Sequence, residues 1–326
     1  MPLYLKKAPT KSFTDTAQSD VAATVGTIID DIREHGDDAV RRYASKFDRW
    51  DGPFRLDDAE VERIMATLEP QVIDDIRFVQ DQVRRFAQAQ RDSLIDIEVE
   101  TLPGVHLGQK HVPVRAAGAY IPGGKYPLTA SAHMTIITAK VAGVPRVVAC
   151  TPPIRGEIPA ATVAAMKLAG ADEIYILGGV QAVTAMAVGT ESIAPVNMIA
   201  GPGNAYVAEA KRQLFGEVGI DLFAGPTEIL IVADDDADPF LTAVDLLSQA
   251  EHGPESPAVL ITTSRALGER VMQLVEEILP GMSTRDYAEP AWRDWGQVIV
   301  VDDLDEAYAL ADAFAFEHVQ IFTNDP

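Results

Sequence analysis

From about residue 100 the chain alternates short apolar runs with helical stretches, and no other feature constrains its fold as strongly. Gly118–Pro122 reads as a strand end, Thr129–Ala142 as a helix, Val147–Cys150 as a strand and Pro159–Ala169 as a helix. Glu173–Leu177, Val180–Val188, Val196–Ile199 and Asn204–Leu214 continue the alternation. A second series runs from the strand Glu228–Val232 through helix Pro239–Ala250, strand Ala258–Thr262, helix Ala266–Ile278, strand Gln297–Val301 and helix Leu304–Phe314 to strand Val319–Phe322. Strands that alternate with helices form parallel sheets covered on both faces. The expected fold class is therefore α/β, with two doubly wound, Rossmann-like domains.

The first hundred residues carry apolar positions at helical spacing instead: Val21–His35, ending at Gly36, then Asp37–Phe47, Asp57–Leu68 and the long Pro70–Leu94. The length of the last one suggests an arm or a subunit contact, or simply a surface helix. The expected organisation is a discontinuous domain, residues 1–119 with 228–326, carrying these helices and the second series. The first series, residues 120–227, would be inserted in it as a nucleotide-binding domain. The chain stops at Asn324-Asp325-Pro326 directly after a strand, and it is expected to be truncated there.

A formal net charge of −22, from 49 acidic against 27 basic residues, repels nucleic acid and anionic membrane. It leaves open a small anionic ligand, which needs only a local basic pocket. The lone Cys150 excludes a disulfide framework and a cysteine zinc site within one chain. With neither a signal-like start nor an uninterrupted apolar stretch of membrane length, the cytoplasm is the expected address.

Five segments carry chemistry. Gln249 and His252 lie three apart at the end of a helix, on one face, before Gly253-Pro254. An amide oxygen beside an imidazole is half of a metal site, or a capping and hydrogen-bonding pair. Pro122-Gly123-Gly124-Lys125, Gly178-Gly179-Val180-Gln181 and Gly201-Pro202-Gly203-Asn204 are glycine turns at strand ends. There the backbone and the next helix N-terminus can approach a phosphate. None has the Gly-x-Gly-x-x-Gly spacing, so they suggest a dinucleotide site of unusual design, or plain architecture. Glu317-His318 offers two proton-transfer groups near neutral pH, or is a surface dipeptide.

Taken together, these segments resemble the histidinol dehydrogenase family. The resemblance rests on Gly118–Gly124, Lys140–Val144, Gly178–Ala182, Gly201–Val207 with Glu209–Gln213, Ala224–Glu228, Ser248–Pro254 and Glu317-His318, in the family's order. It implies a homodimer, dependent on zinc and NAD, that oxidises a primary alcohol to a carboxylate through an aldehyde in two hydride transfers. By position, Gln249 and His252 would be two of four zinc ligands. Tyr120, Gln181 and Asn204 would contact NAD. Thr227 would contact substrate, and Glu317 and His318 would be the acid/base pair, with His318 also at the substrate. The family's other zinc ligands, an Asp and a His, belong to its C-terminal tail. That tail is absent from these residues, so they are expected not to close a four-ligand site.

Some pocket positions depart from enzymes acting on histidinol. His133 falls where an aliphatic residue is usual, Thr129-Ala130 replaces Pro-Ser, Phe316 replaces proline, and Gln320 replaces a glutamate. Losing a carboxylate and gaining an imidazole moves a site from an ammonium group towards an anion, unless these changes are neutral drift. The shift fits family members that oxidise sulfopropanediol (2,3-dihydroxypropane-1-sulfonate) to sulfolactate, with His133 and Thr129 as candidate sulfonate contacts. The other readings are L-histidinol oxidation, and a NAD-binding module without catalysis.

Overall fold

The computed structural model describes residues 2–9, 16–123, 128–222 and 227–325, with side chains omitted for 16–19. The expected turn residues Gly124 and Lys125 and the segment Ala224-Gly225-Pro226 lie outside the described residues. The chain divides into two compact units, Met1–Phe13 with Ala224–Pro326, and Thr14–Phe223.

Strand β1 (Leu3–Lys6) belongs to the discontinuous unit. The chain then builds the other unit: α1 (Thr16–Tyr43), β2 (Arg55–Leu56), α2 (Asp58–Met65), α3 (Pro70–Ser93), the hairpin β3 (Ile97–Leu102) and β4 (Val105–Gln109), β5 (Ala116–Tyr120), α4 (Thr129–Val141), β6 (Arg146–Thr151), α5 (Ala160–Ala169), β7 (Glu173–Ile176), α6 (Gly179–Val188), β8 (Met198–Ala200), α7 (Ala205–Leu214) and β9 (Gly219–Ile220). Its sheet has the order β2-β7-β6-β5-β8-β9, with β5 to β9 parallel. The central strands are apolar runs buried along their length, as a sheet covered on both faces requires. Side-chain alternation sends Ala116 and Tyr120 to the core under α1, α6 and α7, and Ala117 and Ala119 to the core under α3, α4 and α5.

This division differs from the expected one. The N-terminal helices pack on the first sheet and leave only β1 to the discontinuous unit. The reason lies in α1, whose Val25, Ile28, Ile29 and Ile32 follow helical spacing and are buried in the α6–α7 core. Each such burial stabilises by about 1.5–3 kcal/mol. The expected break at Gly36 is a kink: its φ of 49° is left-handed, and an added Cβ would strike the carboxylate of Glu191. The β3–β4 hairpin, unassigned in the sequence reading, is exposed along both strands.

The discontinuous unit continues with β10 (Ile229–Ala233), α8 (Pro239–Ala250), β11 (Ala258–Thr262), α9 (Arg265–Ile278), α10 (Arg285–Trp295), β12 (Gln297–Val300), α11 (Leu304–Phe314) and β13 (His318–Phe322). Its sheet order is β1-β12-β11-β10-β13, parallel apart from β1. Ile229, Ile231 and Ala233 face α8 and α9, while Leu230 and Val232 face α11. No helix among the described residues is long and apolar enough to cross a membrane.

Candidate functional site

The predicted residues fall into two groups, one in each unit. In the Thr14–Phe223 unit, Tyr120, Gln181 and Asn204 line a single cavity of about 980 Å³. Topology brings them there: Tyr120 ends β5, Gln181 follows β7 in the first turn of α6, and Asn204 links β8 to α7. Ligands in doubly wound sheets bind at this carboxyl end of the strands.

The cavity wall is held by its own hydrogen bonds. The Tyr120 hydroxyl accepts from Gly179 N at 3.1 Å, and burial pushes its phenol pKa far up, so it stays neutral with its proton free to donate. Asp48 accepts from Gly178 N at 3.0 Å and from Gln181 Nε2 at 2.9 Å. Burial raises its pKa, against the pull of those two hydrogen bonds. A carboxylate partner only accepts, so it fixes the Gln181 amide with Nε2 inward and leaves Oε1 as the acceptor offered to a ligand. Asn204 Oδ1 accepts from Tyr206 N at 3.1 Å and Val207 N at 3.2 Å, capping α7. Gly201 adopts a φ of 128°, and an added Cβ would collide with the Tyr120 carbonyl oxygen. This close approach requires glycine.

The glycine turns left a dinucleotide site and plain architecture open; two of the first four amides of α6, and two of α7, already donate to Asp48, Tyr120 and Asn204. The sequence reading also missed Phe47, Asp48, Arg49, Arg155 and Tyr206, which line the same cavity. They arrive from the helical turn Ala44–Asp48 that follows α1 and its cap Arg49, from the turn after β6 and from the start of α7. No local pattern marks them, although Phe47-Asp48-Arg49 at a helix end is the signal nearest to one.

His133 does not join the cavity. It is 3% exposed, among the residues buried within α4. Its Nδ1 lies 3.2 Å from Gln80 Nε2, which itself donates to Ala165 O at 2.9 Å. Burial lowers its pKa. An enclosed neutral imidazole facing an amide donor is a core residue, which corrects its reading as a sulfonate contact. Thr129, half-buried in the first turn of α4, is not among the residues lining the cavity.

In the discontinuous unit the second group gathers at the opposite, amino end of the strands. Thr227 and Glu228 lead into β10, Glu317 precedes β13, and His318 pairs with Ile229 across the two. His318 Nδ1 lies 3.0 Å from Glu228 O. A carbonyl only accepts, so Nδ1 carries a proton, and in the neutral ring Nε2 keeps the lone pair. Glu317 is exposed, and its backbone N donates to Glu228 Oε1 at 3.2 Å.

Gln249 and His252 sit at the C-terminal end of α8, where the helix dipole favours a cation. Gln249 is buried, and among the described residues its Nε2 has no hydrogen-bond partner. Burial lowers the pKa of His252; Glu251 opposes this and the neighbouring His318 adds to it. An imidazole held neutral and an unsatisfied amide, whose two ends exchange at little steric cost, fit a zinc ion as two donors. Among the described residues no group of three or more His, Cys, Asp or Glu could hold a metal. The pair is thus a partial set.

Comparison with known proteins places the chain in a family. The profile of the family described as histidinol dehydrogenase matches residues 11–326. A histidinol dehydrogenase homolog of Shouchella clausii is 58% identical over 327 residues, which cover 100% of this chain and 77% of the relative. The sulfopropanediol 3-dehydrogenase of Ruegeria pomeroyi is 47% identical, covering 99% and 74%. The crystal structure of histidinol dehydrogenase from Elizabethkingia anophelis superposes with a TM-score of 0.89 at 32% identity, covering 98% of this chain and 72% of that one. The chain therefore belongs to the histidinol dehydrogenase family of oxidoreductases.

Proposed function

We propose that the protein oxidises a primary alcohol to a carboxylate with two NAD, and that its substrate is sulfopropanediol. The observation that carries the NAD reading is the convergence of Tyr120, Gln181 and Asn204 on one cavity. Tyr120 donates its hydroxyl proton, Gln181 presents Oε1, and the wall that holds them is fixed before any ligand arrives.

Gln249 and His252 would hold zinc, which when bound fixes and polarises a substrate oxygen. His318 Nε2 takes the hydroxyl proton as hydride leaves for NAD, and its Nδ1–H···O bond to Glu228 keeps it in the tautomer that can do so. Glu317, exposed beside it, activates the water that hydrates the aldehyde, so that a second hydride can leave. Thr227, next to Glu228, contacts the substrate. The balance is alcohol, two NAD and water giving carboxylate, two NADH and three protons.

Gln320 supports the anionic substrate. It lies two residues beyond His318 on the same face of β13 and is half-buried. A neutral amide can donate to a sulfonate, which a carboxylate would repel. The 47% identity to the Ruegeria enzyme is consistent with this choice. Two copies would pair through surfaces such as the outer face of α3, where Phe78 and Phe86 are exposed; a cytoplasmic homodimer is the expected form.

The test compares initial NADH rates of the zinc-loaded protein on sulfopropanediol and on histidinol, for wild type and Gln320→Glu. Preference for the sulfonate in wild type, weakened by the substitution, supports the proposal. Turnover of histidinol alone would overturn the substrate.

A further inference from the structure

We propose that Arg49 and Arg155 hold the pyrophosphate of the dinucleotide, in place of a helix N-terminus. The inference rests on reading the cavity as the NAD site. The carboxyl end of this sheet has the architecture that usually seats a pyrophosphate on a helix start. Here Asp48 and the Tyr120 hydroxyl occupy the Gly178 and Gly179 amides of α6, and Asn204 occupies the Tyr206 and Val207 amides of α7. The Asp48 carboxylate at the start of α6 would also repel a phosphate placed there. A doubly charged linker must find its countercharge elsewhere on the wall.

Two cations line that wall, Arg49 and Arg155. In a chain of formal net charge −22 most arginines are drawn into ion pairs, such as Arg33 with Glu217 and Arg146 with Glu173. Among the described residues neither Arg49 nor Arg155 has an ion pair or side-chain hydrogen bond, and both are exposed. Their guanidinium groups remain free to fork onto phosphate oxygens.

Their backbones point the same way. Both residues have a φ of 54°, a left-handed conformation that favours glycine or asparagine. Arg49 closes the turn after Tyr43 through its amide, which donates to Ala44 O. Arg155 precedes Gly156 in a two-residue turn closed by Ile154 and Glu157, where an asparagine would fit at lower cost. Long cationic side chains at both positions, on turns from distant parts of the chain, are explained if a shared anionic ligand lies in the cavity.

The test is NAD affinity, read by calorimetry without turnover. Arg49→Gln and Arg155→Gln are each expected to weaken NAD binding about tenfold, as loss of a charged hydrogen-bond donor does. They should leave the binding of nicotinamide riboside, which has no phosphate, unchanged. Arg49→Lys and Arg155→Lys should recover part of the loss, and the dependence of NAD affinity on salt should flatten in the Gln variants. Wild-type affinity for NAD in both Gln variants would overturn the proposal and leave the NAD reading standing. Equal weakening of NAD and nicotinamide riboside would also overturn it, because the arginines would then be supporting the cavity wall. A wild-type protein that does not bind NAD would remove the reading beneath it.

Discussion

The two units carry related sheets but place their chemistry at opposite ends of them. In the Thr14–Phe223 unit the candidate cofactor residues stand at the carboxyl ends of parallel strands, and their polar groups are largely paired with one another. In the discontinuous unit Thr227, Glu317, His318, Gln249 and His252 stand at the amino end of the sheet. Buried polar atoms there and along β13, Gln249 Nε2 and Gln320 Oε1 among them, have no partner among the described residues. A buried polar atom left unpaired costs about 1–3 kcal/mol. The first arrangement is a cavity whose wall is held by its own hydrogen bonds. The second, on the proposed reading, is a set of donors and acceptors that a metal ion and a substrate would complete. Rossmann-like architecture foretells the first place and not the second.

The contrast can be broken by substitution, and the largest effect should come from the open end. His318→Asn should lower the rate of NADH formation by about 10²–10⁴-fold, the usual contribution of a general base, while leaving NAD affinity intact. A matching fall in NAD affinity would mean that the two regions are not separable. Next comes Glu317→Gln. Single-turnover kinetics starting from alcohol and from aldehyde should show the aldehyde step slowed by about 10²-fold and the alcohol step much less. Equal losses would remove its role in activating water.

Tyr120→Phe sharpens the other side. It leaves the Gly179 amide unsatisfied and removes a donor from the cavity. NAD affinity should fall about tenfold with a smaller change in maximal rate, and a change confined to the rate would contradict the placement.

The smallest effect concerns His133. Burial lowers its folded pKa below the ordinary histidine value of about 6.5, so the unfolded chain binds more protons in the interval between the two values. Stability is therefore intact above that interval and is lost as pH falls through about 6.5. Between neutral and acidic pH the wild type should lose about 2–4 °C more in Tm than His133→Leu. Parallel Tm profiles would show that the ring is not held neutral.

The order of strands and helices was legible because periodicity is local: Ala258–Thr262 and Leu304–Phe314 were read to the residue. The partner of the N-terminal helices was not, since the apolar stripe of α1 states that it is buried and not which sheet buries it. Tyr120, Gln181 and Asn204 could be placed together because the resemblance to the family marks all three, and the glycine turns set Gln181 and Asn204 at strand ends. Asp48, Arg49 and Arg155 could not, because they reach the cavity from a helix end and a turn with no motif of their own. His133 misled for a related reason. An imidazole in an apolar helix looks like a ligand until its neighbour Gln80, brought in by α3, is known.

The proposed four-electron oxidation is tested most directly by the NADH yield per molecule of alcohol consumed by the zinc-loaded protein with excess NAD. Two NADH per sulfopropanediol, with a carboxylate as the product, is the predicted result. One NADH with aldehyde accumulating, or none from any primary alcohol offered, would contradict the account.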